Sequence, residues 1–262
     1  MPHIYEAARV ERILMMRRIR IARYSLAPLL VGLFLCLPQL TAQDPSTLPS
    51  QVIVERSGAT VDLSDLKVPK EALAEFHKGD ALLKQQKWAD AIMHYRRAAG
   101  IDDEFVEAYN NMGFAYARLG DRPHQREVLE KAIALNRHSF QPLMNRAALA
   151  LQENDHSGAE NWLERALQLD PENPDALVLL ARAQIMNGHY EAALATARQV
   201  NSRPHGHYAL IHYLAARALE AEKRASEAAA ELRVFLQEEP QGVRADAARK
   251  ELSELETSAL AR

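Results

Sequence analysis

His205, His207 and His212 place three imidazoles within eight residues, the densest such group in the sequence. Imidazoles that share a metal from one helix face need a spacing of three or four. The step from 207 to 212 is five, with no acid between and no cysteine beyond residue 36. A polar loop followed by a packed His212 is the simpler reading. A metal-dependent enzyme using the His205 region is kept as an alternative. The acid pairs Asp102-Asp103 and Glu238-Glu239 fall at expected helix ends, where solvated termini account for them better than general acid–base work. The sequence has no phosphate-cradling glycine loop, no His-Glu-x-x-His, no Gly-x-Ser-x-Gly and no Cys-x-x-Cys. No cofactor is expected, and the chain reads as non-catalytic. Trp88 and Trp162 are expected near the starts of helices, as packing residues.

The elements that position these residues repeat. Gly79, Gly113, Ala147, Ala181 and Ala216 are spaced 34, 34, 34 and 35. Ala91, Gln125, Ala159, Ala193 and Ala228 follow twelve residues after each. Tyr95, Leu129, Leu163, Ala197 and Leu232 come next, and Ala98, Ala132, Ala166, Val200 and Phe235 close each unit. Prolines between residues 71 and 240 stand only at 123, 142, 171, 174, 204 and 240, near expected helix ends. Asn173-Pro174-Asp175 supplies an N-cap, a first-turn proline and a first-turn acid. Gly120 and Gly188 stand where a helix C-terminus wants a left-handed residue. Each unit is then a pair of antiparallel helices, A and B. The small residue of A lets B approach, and larger residues such as Tyr95 and Leu163 fill the space around that contact. One pair cannot bury its apolar face alone, whereas three or more stacked pairs can.

A 34-residue period with these small and apolar positions resembles the tetratricopeptide repeat. The resemblance covers residues 72–240. It implies an all-α, right-handed α-solenoid of about five helix-turn-helix units, near 72–105, 106–139, 140–173, 174–208 and 209–242. Residues 241–262 then form a charged capping helix and tail. Gln125 replaces the alanine expected in the second unit and Arg137 its closing proline, so that unit's helix pair is expected to be the loosest. The extra residue between positions 201 and 207 is expected to bend the stack.

The resemblance also implies a concave groove, lined by A helices, that holds a peptide or a partner's helix. The candidate groove residues are Asn110, Phe114, Gln141, Met144, Arg182, Tyr213 and Arg217. Phe114 and Met144 would form an apolar patch. Arg182 and Arg217 occupy equivalent positions and suit an anion, unless Asp175 and Glu220 neutralise them. One branch of the family grips the C-terminal carboxylate of heat-shock chaperones with a Lys/Asn/Arg clamp. Phe76, Asp80, Asn111, Gln141 and Asn145 stand at the matching positions here. Only Asn111 fits that chemistry, and Asp80 would repel a carboxylate, so the activity is not expected.

Ahead of the repeats, Arg17-Arg18-Ile19-Arg20 precedes an uncharged run over 25–40, then Leu40-Thr41-Ala42. A basic start, a short apolar middle and a small-residue exit are the parts of an export signal cleaved after Ala42. An uncleaved run would instead tether the protein to a membrane, as in an assembly factor of an envelope, pilus or secretion complex. Met15 and Met16 are alternative starts. Residues 43–70 read as a linker with short strands at Val52-Ile53-Val54 and Thr60-Val61. The expected protein is therefore periplasmic or secreted. Residues 1–24 carry +4, which leaves −7 on residues 43–262 of the chain's total of −3. An acidic body has no electrostatic reason to coat nucleic acid. The expected partner is a protein or peptide.

Overall fold

The computed structural model describes residues 68–201 and 208–260, with side chains to residue 258. The export signal, the linker strands, His205, His207 and the 201–207 junction lie largely or wholly outside the described residues. Among those residues all regular structure is helical, in eleven helices: α1 (Lys70–Lys84), α2 (Trp88–Ile101), α3 (Val106–Leu119), α4 (Arg122–Leu135), α5 (Phe140–Gln152), α6 (His156–Leu169), α7 (Pro174–Met186), α8 (Tyr190–Asn201), α9 (Leu210–Ala221), α10 (Ala225–Glu238) and α11 (Val243–Leu260). Each helix packs on the next, giving five A/B pairs and a single last helix. Beyond these sequential contacts, α3 packs on α5, α5 on α7 and α7 on α9. Among the described residues no two successive B helices meet as closely. The A helices therefore form the inner wall of an α-solenoid and the B helices its outer wall.

The small-residue series sets the spacing within each pair. A methyl added to Gly79 would sit 2.5 Å from the Tyr95 ring, and one added to Gly113 would sit 2.7 Å from Leu129 Cδ2. Neither distance is tolerable between carbon atoms. Tyr95, Leu129, Leu163 and Leu232 are completely buried at these contacts, each contributing on the order of 1.5–3 kcal/mol. The second pair is not loose. Gln125 is buried, 5% exposed, and does not tilt outward. Leu129 against Gly113 fixes how near α3 and α4 come, so the longer side chain at 125 does not part them. Its cost appears elsewhere, because Gln125 Oε1 is buried without a hydrogen-bond partner.

Helix ends follow local chemistry. The side chains of Asp121, Asp155 and Asn173 accept hydrogen bonds from the backbone N–H of His124, Gly158 and Ala176. Every A-to-B turn passes through one left-handed residue at the same position of the unit. These are Gln86 (φ 60°), Gly120 (74°), Asn154 (59°), Gly188 (77°) and Lys223 (61°). Two of the five are the glycines read from the sequence, and the other three have a Cβ. At the C-terminal end α11 packs on α10 through Ala245 and Ala248, with Leu252 and Leu255 partly buried. Asp246, Arg249, Lys250 and Ser253 on its other side are exposed. Position 250 continues the small-residue series by 34 residues from Ala216, and it holds a lysine.

The left-handed turns give a paired prediction. Gly120→Ala should lower stability by about 1–2 kcal/mol, whereas Lys223→Gly should be neutral or raise stability by up to about 1 kcal/mol. Chemical denaturation of the two variants against the parent checks both signs.

Candidate functional site

The inner wall is the surface with a continuous side-chain arrangement. α1, α3 and α5 lie side by side, and equivalent turns on each present polar residues at one level. Asp80 Oδ1 accepts a hydrogen bond from Tyr95 Oη at 2.7 Å and another from Asn111 Nδ2 at 3.1 Å. Asn110 Nδ2 donates to Asn111 Oδ1 at 3.3 Å, and Asn145 Nδ2 donates to Asn110 Oδ1 at 2.9 Å. Tyr95, Asp80, Asn111, Asn110 and Asn145 thus form one hydrogen-bonded chain across three successive A helices. Burial, and then the Asp80 carboxylate, push the Tyr95 hydroxyl up, which keeps it a proton donor. Behind this chain, Glu75 ties α1 to α2. Its carboxylate takes Lys78 Nζ at 2.6 Å and His94 Nδ1 at 2.8 Å, and these two hydrogen bonds lower its pKa to about 2.

Beside the amides, Phe114 is half-buried and stands edge-on to Trp88 at 5.9 Å. Arg118 lies over the other ring of this corner, 4.9 Å from the Trp88 centroid. Trp88 opens α2 as expected, but Trp162 lies midway along α6. Gln141 and Arg182 are half-buried on α5 and α7. Three other expectations are corrected. Met144 is 4% exposed and belongs to the core formed by α5, α6 and α7, so it makes no surface patch with Phe114. Tyr213 is 6% exposed and packs on Phe235 at 5.4 Å. Its hydroxyl donates to Glu251 Oε1 at 3.2 Å. Arg217 meets the same oxygen at 3.0 Å, so its direct partner is an acid of the last helix, with Glu220 acting on it at longer range. The wall turns successive side chains at one position of the unit inward between neighbouring A helices. Where the side chain is Met144 or Tyr213 it becomes floor, and where it is Asn110 it stays half-exposed.

At the far end of the wall charge is dense. Burial, then the neighbouring Glu251, pushes the Glu220 carboxyl up. Burial opposes the Arg217 charge, but Glu251, with Tyr213 and Glu220 behind it, overrides burial and the net direction is upward. Asp175 is also pushed up by burial, against a hydrogen bond from Tyr208. Among the described residues no group of three or more histidines, cysteines or acids could hold a metal ion. His212 is buried, with Nδ1 2.6 Å from Glu231 Oε2 and Nε2 3.9 Å from Glu238 Oε1. No helix among the described residues is long and apolar enough to cross a membrane.

Family models described as TPR repeat or Tetratricopeptide repeat match residues 79–120, 111–174 and 150–218. The solenoid is built of tetratricopeptide repeats. The chain is 27% identical over 135 residues to the Hsp70-Hsp90 organizing protein of Triticum aestivum, which is 52% of this chain and 23% of that one. It spans about a quarter of the length of this relative. Among solved structures it is similar to YrrB, described as a TPR protein with an unusual peptide-binding site. That match has a TM-score of 0.62 and 19% identity over 74% of this chain and all of the other. It is also similar to MamA from Desulfovibrio magneticus RS-1, with a TM-score of 0.61 and 19% identity over 66% and 97%. At these identities the two structures speak for the fold.

Four of the five carboxylate-clamp positions are engaged otherwise in this tetratricopeptide-repeat chain: Phe76 packs on Phe105, and Asp80, Asn111 and Asn145 are hydrogen-bonded in the amide chain. Asn111, the one residue that fits a clamp, already donates to Asp80. The signal that marks the amide chain in the sequence is Asn111 and Asn145 one unit apart.

Glu75 supplies a pH prediction. Its native pKa of about 2 lies below the ordinary value of 4.5. The unfolded chain therefore binds the proton more readily than the folded one. The stabilisation is complete above pH 4.5 and is lost as pH falls toward 2. Glu75→Gln should flatten the acid limb of stability in that window. Urea denaturation of parent and variant at several pH values measures it.

Proposed function

We propose that this chain is a non-catalytic interaction scaffold whose inner wall holds an extended segment of a partner protein. The hydrogen-bonded chain Asp80–Asn111–Asn110–Asn145 carries the reading. A carboxamide has two donor hydrogens and an acceptor oxygen with two lone pairs. Each amide of the chain spends only part of that capacity on its neighbours. What remains suits the alternating N–H and C=O groups of an extended backbone, which accept any side-chain sequence. Half-buried Phe114 beside the amides offers an apolar contact for one side chain of the partner. The tetratricopeptide repeats and the similarity to a chaperone-organizing protein support an interaction role in the same direction. Affinity in such a shallow groove should be micromolar, about −8 kcal/mol.

In the same reading the scaffold is exported, periplasmic or secreted. Support for this part is the order of charge and hydropathy over residues 1–42. Retention of residues 25–40 would make it a membrane-tethered assembly factor instead.

Crosslinking in the native cell followed by mass spectrometry, with the parent and with Asn111→Ala, Asn145→Ala, tests the groove. Partners of the parent should fall about tenfold or more in the double variant, while its circular dichroism stays helical. An unchanged partner set would rule out recognition by the amide wall. N-terminal sequencing of the mature protein should begin at Gln43, and a start at or before Arg17 would exclude cleavage.

A further inference from the structure

The outer wall has a feature the repeat does not require. Successive B helices stand apart, and between α4 and α6 they leave an open cleft of about 690 Å3. Ile133, Trp162 and Leu169 form its apolar side, while Arg137, His138 and Arg165 stand around it. Arg165 lies over the Trp162 ring, 4.6 Å from its centroid. Arg146, almost fully buried, approaches the same ring at 5.6 Å. The single acid of the lining, Glu130, is engaged by Arg146 Nε at 3.3 Å. Neither Arg137 nor Arg165 has a carboxylate partner among the described residues.

The basic residues at 137 and 138 belong to one unit, whereas the position of Arg165 is also basic in the two units before it, as Arg97 and Lys131. Residues 103 and 104, one unit earlier than Arg137 and His138, are aspartate and glutamate, and residues 171 and 172, one unit later, are proline and glutamate. Arg137 stands where the repeat places a closing proline. On a body of net charge −7 a pair of unneutralised guanidinium groups beside a half-buried indole is a local inversion of sign.

We infer that the α4/α6 cleft is a second binding site, for an acidic peptide segment with one apolar side chain from another protein. Planar guanidinium groups take carboxylates two hydrogen bonds at a time. Arg165 is already held in place by its stacking on Trp162, so less side-chain freedom is lost on binding. The apolar side chain of the peptide would sit against Ile133, Trp162 and Leu169. Nucleic acid fits less well, because the acidic body repels a polyphosphate beyond the reach of two guanidinium groups. The site lies on the opposite wall from the amide chain, so one scaffold could hold two partners at once.

The test is fluorescence anisotropy of a fluorescein-labelled peptide of glutamates around a central leucine, titrated with the full chain. The parent should bind it, more weakly as salt rises. Arg137→Glu and Arg165→Glu should each weaken binding about fivefold or more while remaining helical, and Asn111→Ala should leave it unchanged. No binding by the parent, equal binding by both charge-reversal variants, or loss in Asn111→Ala would overturn the assignment. So would equal affinity for oligothymidylate, which would make the ligand a nucleic acid. A parent dimer that Arg137→Glu returns to monomer would make the occupant a second copy and would also overturn it.

Discussion

The distance between paired helices is set where a small residue of one faces a large residue of the other. At Gly79 and Gly113 the gap is shorter than a methyl group can fit, and Tyr95 and Leu129 fill it from the opposite side. Everything else in the molecule is spaced by that approach. Pairs of one width stack with A helices touching and B helices apart, because the A helices also pack across units. Curvature, the amide wall on one side and the open α4/α6 cleft on the other all follow from this unequal packing.

The two walls differ in how polar groups are used. On the inner wall, carboxamides and Asp80 meet one another, and the polar surface is ordered before any partner arrives. Such preorganisation reduces the entropy lost on binding. On the outer wall Arg165 has no acid to meet and is held by stacking on Trp162. The first surface suits a backbone, and the second suits side chains of opposite charge.

The fold was legible because its determinant is a residue type recurring at a fixed interval. The small-residue series, the caps at Asn173 and the glycines at 120 and 188 could all be read directly. The left-handed turns at Gln86, Asn154 and Lys223 could not. Their conformation is imposed by the two helices they join rather than by their own preference, and a lysine gives no hint of it. Gln125 misled for a similar reason: the position that limits approach is 113, so a long side chain four residues before Leu129 could be absorbed. The site was less legible still. Helical spacing read Met144 and Tyr213 as groove residues, but it could not say that α6 and α7 would bury the first, and Phe235 and the last helix the second. Glu251 was invisible as the partner of Arg217, because the last helix is not a complete unit and its alignment with the repeat is hidden by Lys250.

That lysine also sets the character of the last storey. In every lower storey the corresponding spot is glycine or alanine, an invitation for a following helix to lie against it. An extended ammonium group, 80% exposed, withdraws the invitation without disturbing the storey beneath, since Ala245 and Ala248 face the other way. The face that glycine or alanine opens to a neighbouring helix in the lower storeys is, at this position, wet and charged.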